Sequence, residues 1–218
     1  MAYLPLILGI LPSFAWLFFY LKEDPHPEPK SLIFEAFLAG AVSTLIVLGI
    51  QTLFNDWSIA KGIANHTFIS FLVLAGIEEF FKFGAAWLVI SGHLKDFDES
   101  VDAMIYIIVA ALGFAAVENM AAANSAGELA LETLTLRFIG ATLLHTLSSG
   151  LLGYYWAQSI IQNKSKILVL GLFSATLLHT VFNYLIIRYE PAVVPTTFLI
   201  VFAVFILYDF EKLKRITK

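Results

Sequence analysis

Glu78, Glu79 and Lys82 interrupt an otherwise apolar stretch from Thr67 to Ile90, in the run Glu78-Glu79-Phe80-Phe81-Lys82. A charged side chain at a bilayer centre costs about 2.5–3.5 kcal/mol on insertion scales, so a cluster there needs partners or a function. Glu78 and Lys82 stand four apart, which predicts an ion pair on one helix face. Glu79, rotated by about 100°, must find another partner. Other apolar stretches offer candidates: Glu118 and Asn119 follow Phe114, Ser149 lies four residues after His145, and His179 shares a face with Asn183. At about 1.5 Å per residue from the expected boundaries, Glu78, Glu79, His145 and His179 reach similar depth, with Glu118 and Asn119 nearer the outer side. Three helices are therefore expected to converge on one wet cavity near the midplane.

A carboxylate withdrawn from bulk water beside a like charge is a stronger base than one on a surface, and can take a proton from water. Histidine and asparagine donors can then stabilise a developing oxyanion, which together describes peptide-bond hydrolysis by an activated water. Each residue alone has a plainer reading. A single histidine in a membrane helix usually packs or bridges helices, Glu78 with Lys82 makes a structural ion pair, and Ser148-Ser149 reads as helix-packing polar glue. The conjunction of an unpaired glutamate, two histidines and two asparagines exceeds what packing requires. Other hydrolytic sites are missing from the text: there is no His-Glu-x-x-His helix, no aspartate inside an apolar stretch, and Leu147-Ser148-Ser149-Gly150 lacks the first glycine of a Gly-x-Ser-Gly nucleophile site.

Over the whole chain, 59% hydrophobic residues and 14% charged residues, with a mean hydropathy of +0.83, describe an integral membrane protein. The net charge of −4 and the lack of a dense basic block point away from nucleic acid. With no cysteine there is no disulfide, thiolate ligand or cysteine nucleophile. Seven stretches are near the length of a membrane span: Tyr3 to Leu21, Ser31 to Phe54, Thr67 to Ser91, Val101 to Ala123, Thr133 to Ile161, Lys166 to Tyr189 and Ala192 to Phe210. The first has no basic lead-in or small-residue cleavage signal, so it is expected to be a retained helix. Asp24-Pro25-His26-Pro27-Glu28-Pro29 breaks the chain, Asn55-Asp56 and Ser91-Gly92 read as exits, and Pro191 and Pro195 restart it. If the spans alternate, Lys22, Lys30, Lys95, Lys164, Lys166, Lys212, Lys214, Arg215 and Lys218 share one side and only Lys61 and Arg188 the other. That bias predicts an outside N-terminus and a cytoplasmic basic tail anchored at the lipid surface. The expected fold is all-α, a polytopic bundle of about seven transmembrane helices without internal repeats.

The ordered set Glu78-Glu79-x-x-Lys82, Gly113-Phe114-x-x-x-Glu118-Asn119, His145 with Gly150 or Gly153 downstream, and His179-x-x-x-Asn183 resembles the PrsW intramembrane proteases. That family is related in motif logic to the CAAX prenyl endopeptidase and Abi superfamily. The acidic, proline-rich Asp24 to Pro29 segment is also similar, and the resemblance runs from about Tyr20 to Tyr189. It implies one membrane-embedded protease domain over residues 1–218 that cleaves a membrane-anchored, anti-sigma-factor-like substrate. Carried over by motif, Glu78 and Glu79 are the acidic pair, His145 and His179 complete the centre, Asn183 is an oxyanion donor, and Glu118 and Asn119 match a motif of less defined role. Lys82 is expected to hold Glu78 ionised, leaving Glu79 as the base.

The resemblance implies either a metallopeptidase or a metal-free glutamate protease. Glu79, His145 and His179 would make a three-ligand zinc set with an open position. Asn183, one turn from His179, suits an oxyanion hole better than a metal shell, so the residues lean towards metal-free catalysis. The competing class is a proton-coupled transporter, because buried Glu, Lys and His also build proton relays. A scaffold held together by polar side chains is the third reading. The lack of a repeat argues against a two-halved carrier.

Overall fold

A computed structural model describes residues 4–63, 66–189 and 193–216, without the side chains of residues 4–6. Tyr3, Pro191, Ala192 and Lys218, which enter the expected boundaries and charge bias, lie outside the described residues. Every regular element among the described residues is helical: α1 (Leu4–Tyr20), α2 (Lys30–Ala60), α3 (Phe68–Ser91), α4 (Asp102–Ala126), α5 (Ala130–Arg137), α6 (Leu143–Ile161), α7 (Ser165–Arg188) and α8 (Val193–Lys214). A 3-10 turn, Gly127–Leu129, precedes α5, and a π-helical turn, Phe138–Thr142, joins α5 to α6.

Four helical stretches are long and apolar enough to cross a membrane: Lys30–Ala60, Asp102–Ile161, Ser165–Arg188 and Val193–Lys214. The second is 60 residues long and folds back on itself, since α4 packs along α6. Gly127 makes that reversal, at φ +58, a left-handed conformation that costs glycine little. α1, with 17 residues, is shorter, and α3 carries its charged triplet.

α4 is the axis of the bundle. Every residue from Val101 to Ala116 is buried, with α1, α2, α3 and α6 packed around it. Small residues allow that density. A Cβ on Gly40 would overlap the Ala110 carbonyl, and one on Gly113 would overlap that of Phe37, so the α2 and α4 backbones touch. Close approach of this kind is how helices associate where lipid removes the hydrophobic drive. Outward faces stay apolar, with Phe18, Leu45, Val169 and Phe205 each more than half exposed.

Two expectations are corrected. Asn55-Asp56 is not an exit, because α2 continues to Ala60 and the stop comes at Gly62, φ +68. Neither Asn nor Asp removes a backbone donor, so an exposed last turn tolerates both. The stretch Thr133 to Ile161 is also not one regular helix, since the π-helical turn divides it.

Candidate active site

Thr67 and Ser70 start α3 with a reciprocal capping box, which fixes the register that carries Glu78, Glu79 and Lys82 into the bundle. Glu79 and Lys82 are fully buried, and His145 and His179 are 2% exposed. Glu79 accepts from Lys82 Nζ at 2.8 Å and Ser148 Oγ at 2.9 Å through Oε1, and from Ser149 Oγ at 3.1 Å through Oε2. His179 Nδ1 lies 2.8 Å from the same Oε1. An ionised carboxylate only accepts, so this nitrogen carries the proton and Nε2 presents a lone pair. That lone pair faces Glu78 Oε2 at 3.6 Å.

His145 is fixed by the same logic. Lys82 Nζ sits 2.7 Å from His145 Nδ1; an ammonium only donates, so Nδ1 accepts and Nε2 bears the proton. His145 Nε2 donates to Glu118 Oε2 at 2.9 Å. Arg137 closes the cluster from the end of α5, with Nη2 3.1 Å from Glu118 Oε2 and Nε 2.6 Å from Asn119 Oδ1. Asn119 Nδ2 donates to Thr142 Oγ1 at 3.0 Å, which pins α4 to the π-helical turn just before His145. Such wide turns recur at functional sites because they re-aim the side chains that follow.

The structure brings Glu78, Glu79, Lys82, Glu118, Asn119, His145 and His179 together, with one change of partners. Lys82 is closer to Glu79, at 2.8 Å, than to Glu78, at 3.7 Å. Glu78 instead accepts from Gln51 Nε2 at 2.9 Å through Oε1, and its buried Oε2 has no hydrogen-bond partner among the described residues. Asn183 is half-buried and lines a cavity of about 440 Å³ with Arg137, Gly140 and Phe182, beside the cluster rather than within it.

Arg137, Gln51 and Thr142 join the cluster unexpectedly, and Ser148-Ser149, expected to be helix-packing glue, donate to Glu79. A lone arginine inside an apolar stretch was a usable signal for Arg137. Gln51 gave none, being one amide in a long helix.

Glu78, His145 and His179 each offer a ligand atom within 4.8 Å of the others, so the structure groups Glu78 with the histidines where the expected metal set had Glu79. The donor chemistry fits a divalent metal. The orphaned Glu78 oxygen and the His179 lone pair face one another, and each histidine gives its other nitrogen to a carboxylate, Glu79 or Glu118. That second layer is how metal-binding histidines are usually oriented. A bond at His145 Nδ1 would need Lys82 to turn wholly towards Glu79.

A family model described as PrsW family intramembrane metalloprotease matches residues 28–208. The Protease PrsW of Oceanobacillus iheyensis is 31% identical over 210 residues, covering 95% of this chain and 93% of that protein. Those of Clostridioides difficile and Bacillus subtilis are 29% and 28% identical, covering 86% and 82% of this chain and 82% and 80% of the relatives. No solved structure matches the chain. Nothing in these comparisons favours the proton-coupled transporter. The match runs from the loop before α2 into α8, and the chain belongs to the PrsW family of intramembrane metalloproteases.

Proposed function

We propose that this protein cleaves a membrane-anchored, anti-sigma-factor-like protein substrate, with Glu78 as the proton acceptor for the attacking water. The observation that carries the assignment is the orphaned Glu78 Oε2, which faces His179 Nε2 at 3.6 Å and His145 Nδ1 at 4.0 Å. A water in that gap gives its proton to Glu78 while its oxygen attacks the scissile carbonyl, and the same proton then passes to the leaving amine. Glu79, saturated by four donors, is a support: it orients His179 and holds Lys82. The Lys82 ammonium and the Asn183 amide are the donors for the oxyanion. Substrate reaches them through the cavity beside Asn183, which the partly exposed Arg137 also lines.

In an alternative metal route, where Glu78 would serve as a ligand in place of proton acceptor, Glu78, His145 and His179 would hold the divalent metal that the family description names. Bound there, it would supply Lewis-acid polarisation of the water and the substrate carbonyl. The metal-free route keeps one specific observation in its favour, the Lys82 ammonium at 2.7 Å from His145 Nδ1. In the same reading the seven apolar stretches are seven passes forming one domain over residues 1–218. The N-terminus lies outside and the lysine-rich ends lie in the cytoplasm.

The test is cleavage of a model transmembrane peptide by the purified protein in liposomes, followed by mass spectrometry. Cleavage by the wild type, lost in His179→Ala with the helical content kept, supports the reading. An intact peptide together with pH-driven uptake into the vesicles overturns it. Metal analysis of the same samples separates the two routes: about one zinc per chain that His179→Ala releases supports the metal centre, and full activity without metal supports the other.

A further inference from the structure

The loop between α1 and α2 meets the loop between α3 and α4 through a group of carboxylates that peptide hydrolysis does not use. Each is pinned on one side by donors. Asp24 accepts the backbone N–H of His26 at 2.9 Å through Oδ1 and that of Glu28 at 3.3 Å through Oδ2. Asp102 Oδ2 accepts those of Asp98 at 3.0 Å and Glu99 at 2.8 Å. Tyr106 donates its hydroxyl to Glu28 Oε2, and Glu99 Oε1 pairs with His26. The Glu28 side chain lies directly against that of Asp102.

Two oxygens in this group are buried without a partner among the described residues: Asp102 Oδ1 and Glu99 Oε2. Asp102 is fully buried. An orphaned buried acceptor has given up its hydration for nothing in return, so its persistence calls for a ligand. The one basic side chain paired with the group among the described residues is His26, which is 77% exposed. Burial raises Asp24 and Glu28 above the ordinary carboxylate range, and nearby carboxylates add to it: Glu99 for Asp24, and Asp24 and Asp98 for Glu28. The cluster is therefore short of positive charge. A proton shared by Glu28 and Asp102 would relieve that pair and leave Glu99 Oε2 orphaned. A hydrated hard cation answers both, since Mg²⁺ takes one or two carboxylates and keeps several waters that can reach a third.

We propose that this cluster is a second ion site, binding a hydrated divalent cation of the oxygen-seeking kind, Mg²⁺ or Ca²⁺, through Asp102 and Glu28 with Glu99 on its water shell. The ion ties together the loops that lead into α2 and α4, the helices carrying Gln51 and Glu118, and it stands apart from the glutamate and histidine centre.

The test uses the full chain in detergent with Glu78→Gln in every sample, so that the hydrolytic centre contributes no signal. Calorimetric titration with MgCl₂ and CaCl₂ is combined with thermal unfolding. A 1:1 heat of binding and a rise in Tm, both lost in Glu28→Gln and in Asp102→Asn, are the expected results. Should Asp102→Asn fail to fold, the half-buried Glu28→Gln decides alone. The proposal is overturned by equal heats and Tm shifts in the variants. It is equally overturned by a protein that neither ion stabilises but acid does, which would identify a shared proton.

Discussion

Glu79 commits its lone pairs to Lys82, Ser148, Ser149 and His179, whereas Glu78 keeps one oxygen free. Two adjacent carboxylates thus have opposite sensitivities. Removing one member of a buried ion pair costs about 3–5 kcal/mol, so Glu79→Gln is expected to lower stability by that order in denaturant titration. Ser149→Ala removes a single donor and is expected to cost about 1–2 kcal/mol by the same measurement. The identities of these residues were legible in the sequence, because charges and imidazoles inside apolar stretches stand out. Their division of labour was not. A spacing of four favours Glu78 for Lys82, yet His145 and Glu79 together draw the ammonium across to a spacing of three, a choice made by helices α3 and α6 in contact.

The helices were readable from apolar length and from breakers such as Pro25, Pro27 and Pro29. The π-helical turn at Phe138–Thr142 was not, since nothing in Phe-Ile-Gly-Ala-Thr departs from helical composition and the turn is fixed by Asn119 reaching Thr142. Where α2 crosses α4 the packing leaves no room for a side chain. Gly113→Val would drive a branched side chain into the Phe37 carbonyl and is expected to destabilise by about 1–3 kcal/mol or more, measured by thermal unfolding. The loops flanking these helices are expected to make stability depend on pH. Asp24 and Glu28 bind protons more tightly folded than unfolded, so stability falls as pH rises past the ordinary carboxylate range near 4. Tm measured without divalent ions should decline as pH rises from about 4, and added Mg²⁺ should flatten the decline.

Across the whole molecule, an apolar exterior surrounds a polar centre that spends most of its charge internally. Composition alone made the membrane class legible, and the family match fixes the chemistry that such a centre serves. What remained hidden was which carboxylate keeps an unpartnered oxygen, and so is proposed to take the proton, because that depends on the facing of helices α2, α3, α6 and α7. Single-turnover cleavage of a transmembrane peptide by Glu78→Gln, beside the wild type and in the same liposomes, tests that point directly. With Glu78 as the base, the rate falls by about 10²–10⁴-fold with Tm little changed, the size of a lost general base. Cleavage by Glu78→Gln at the wild-type rate would contradict it.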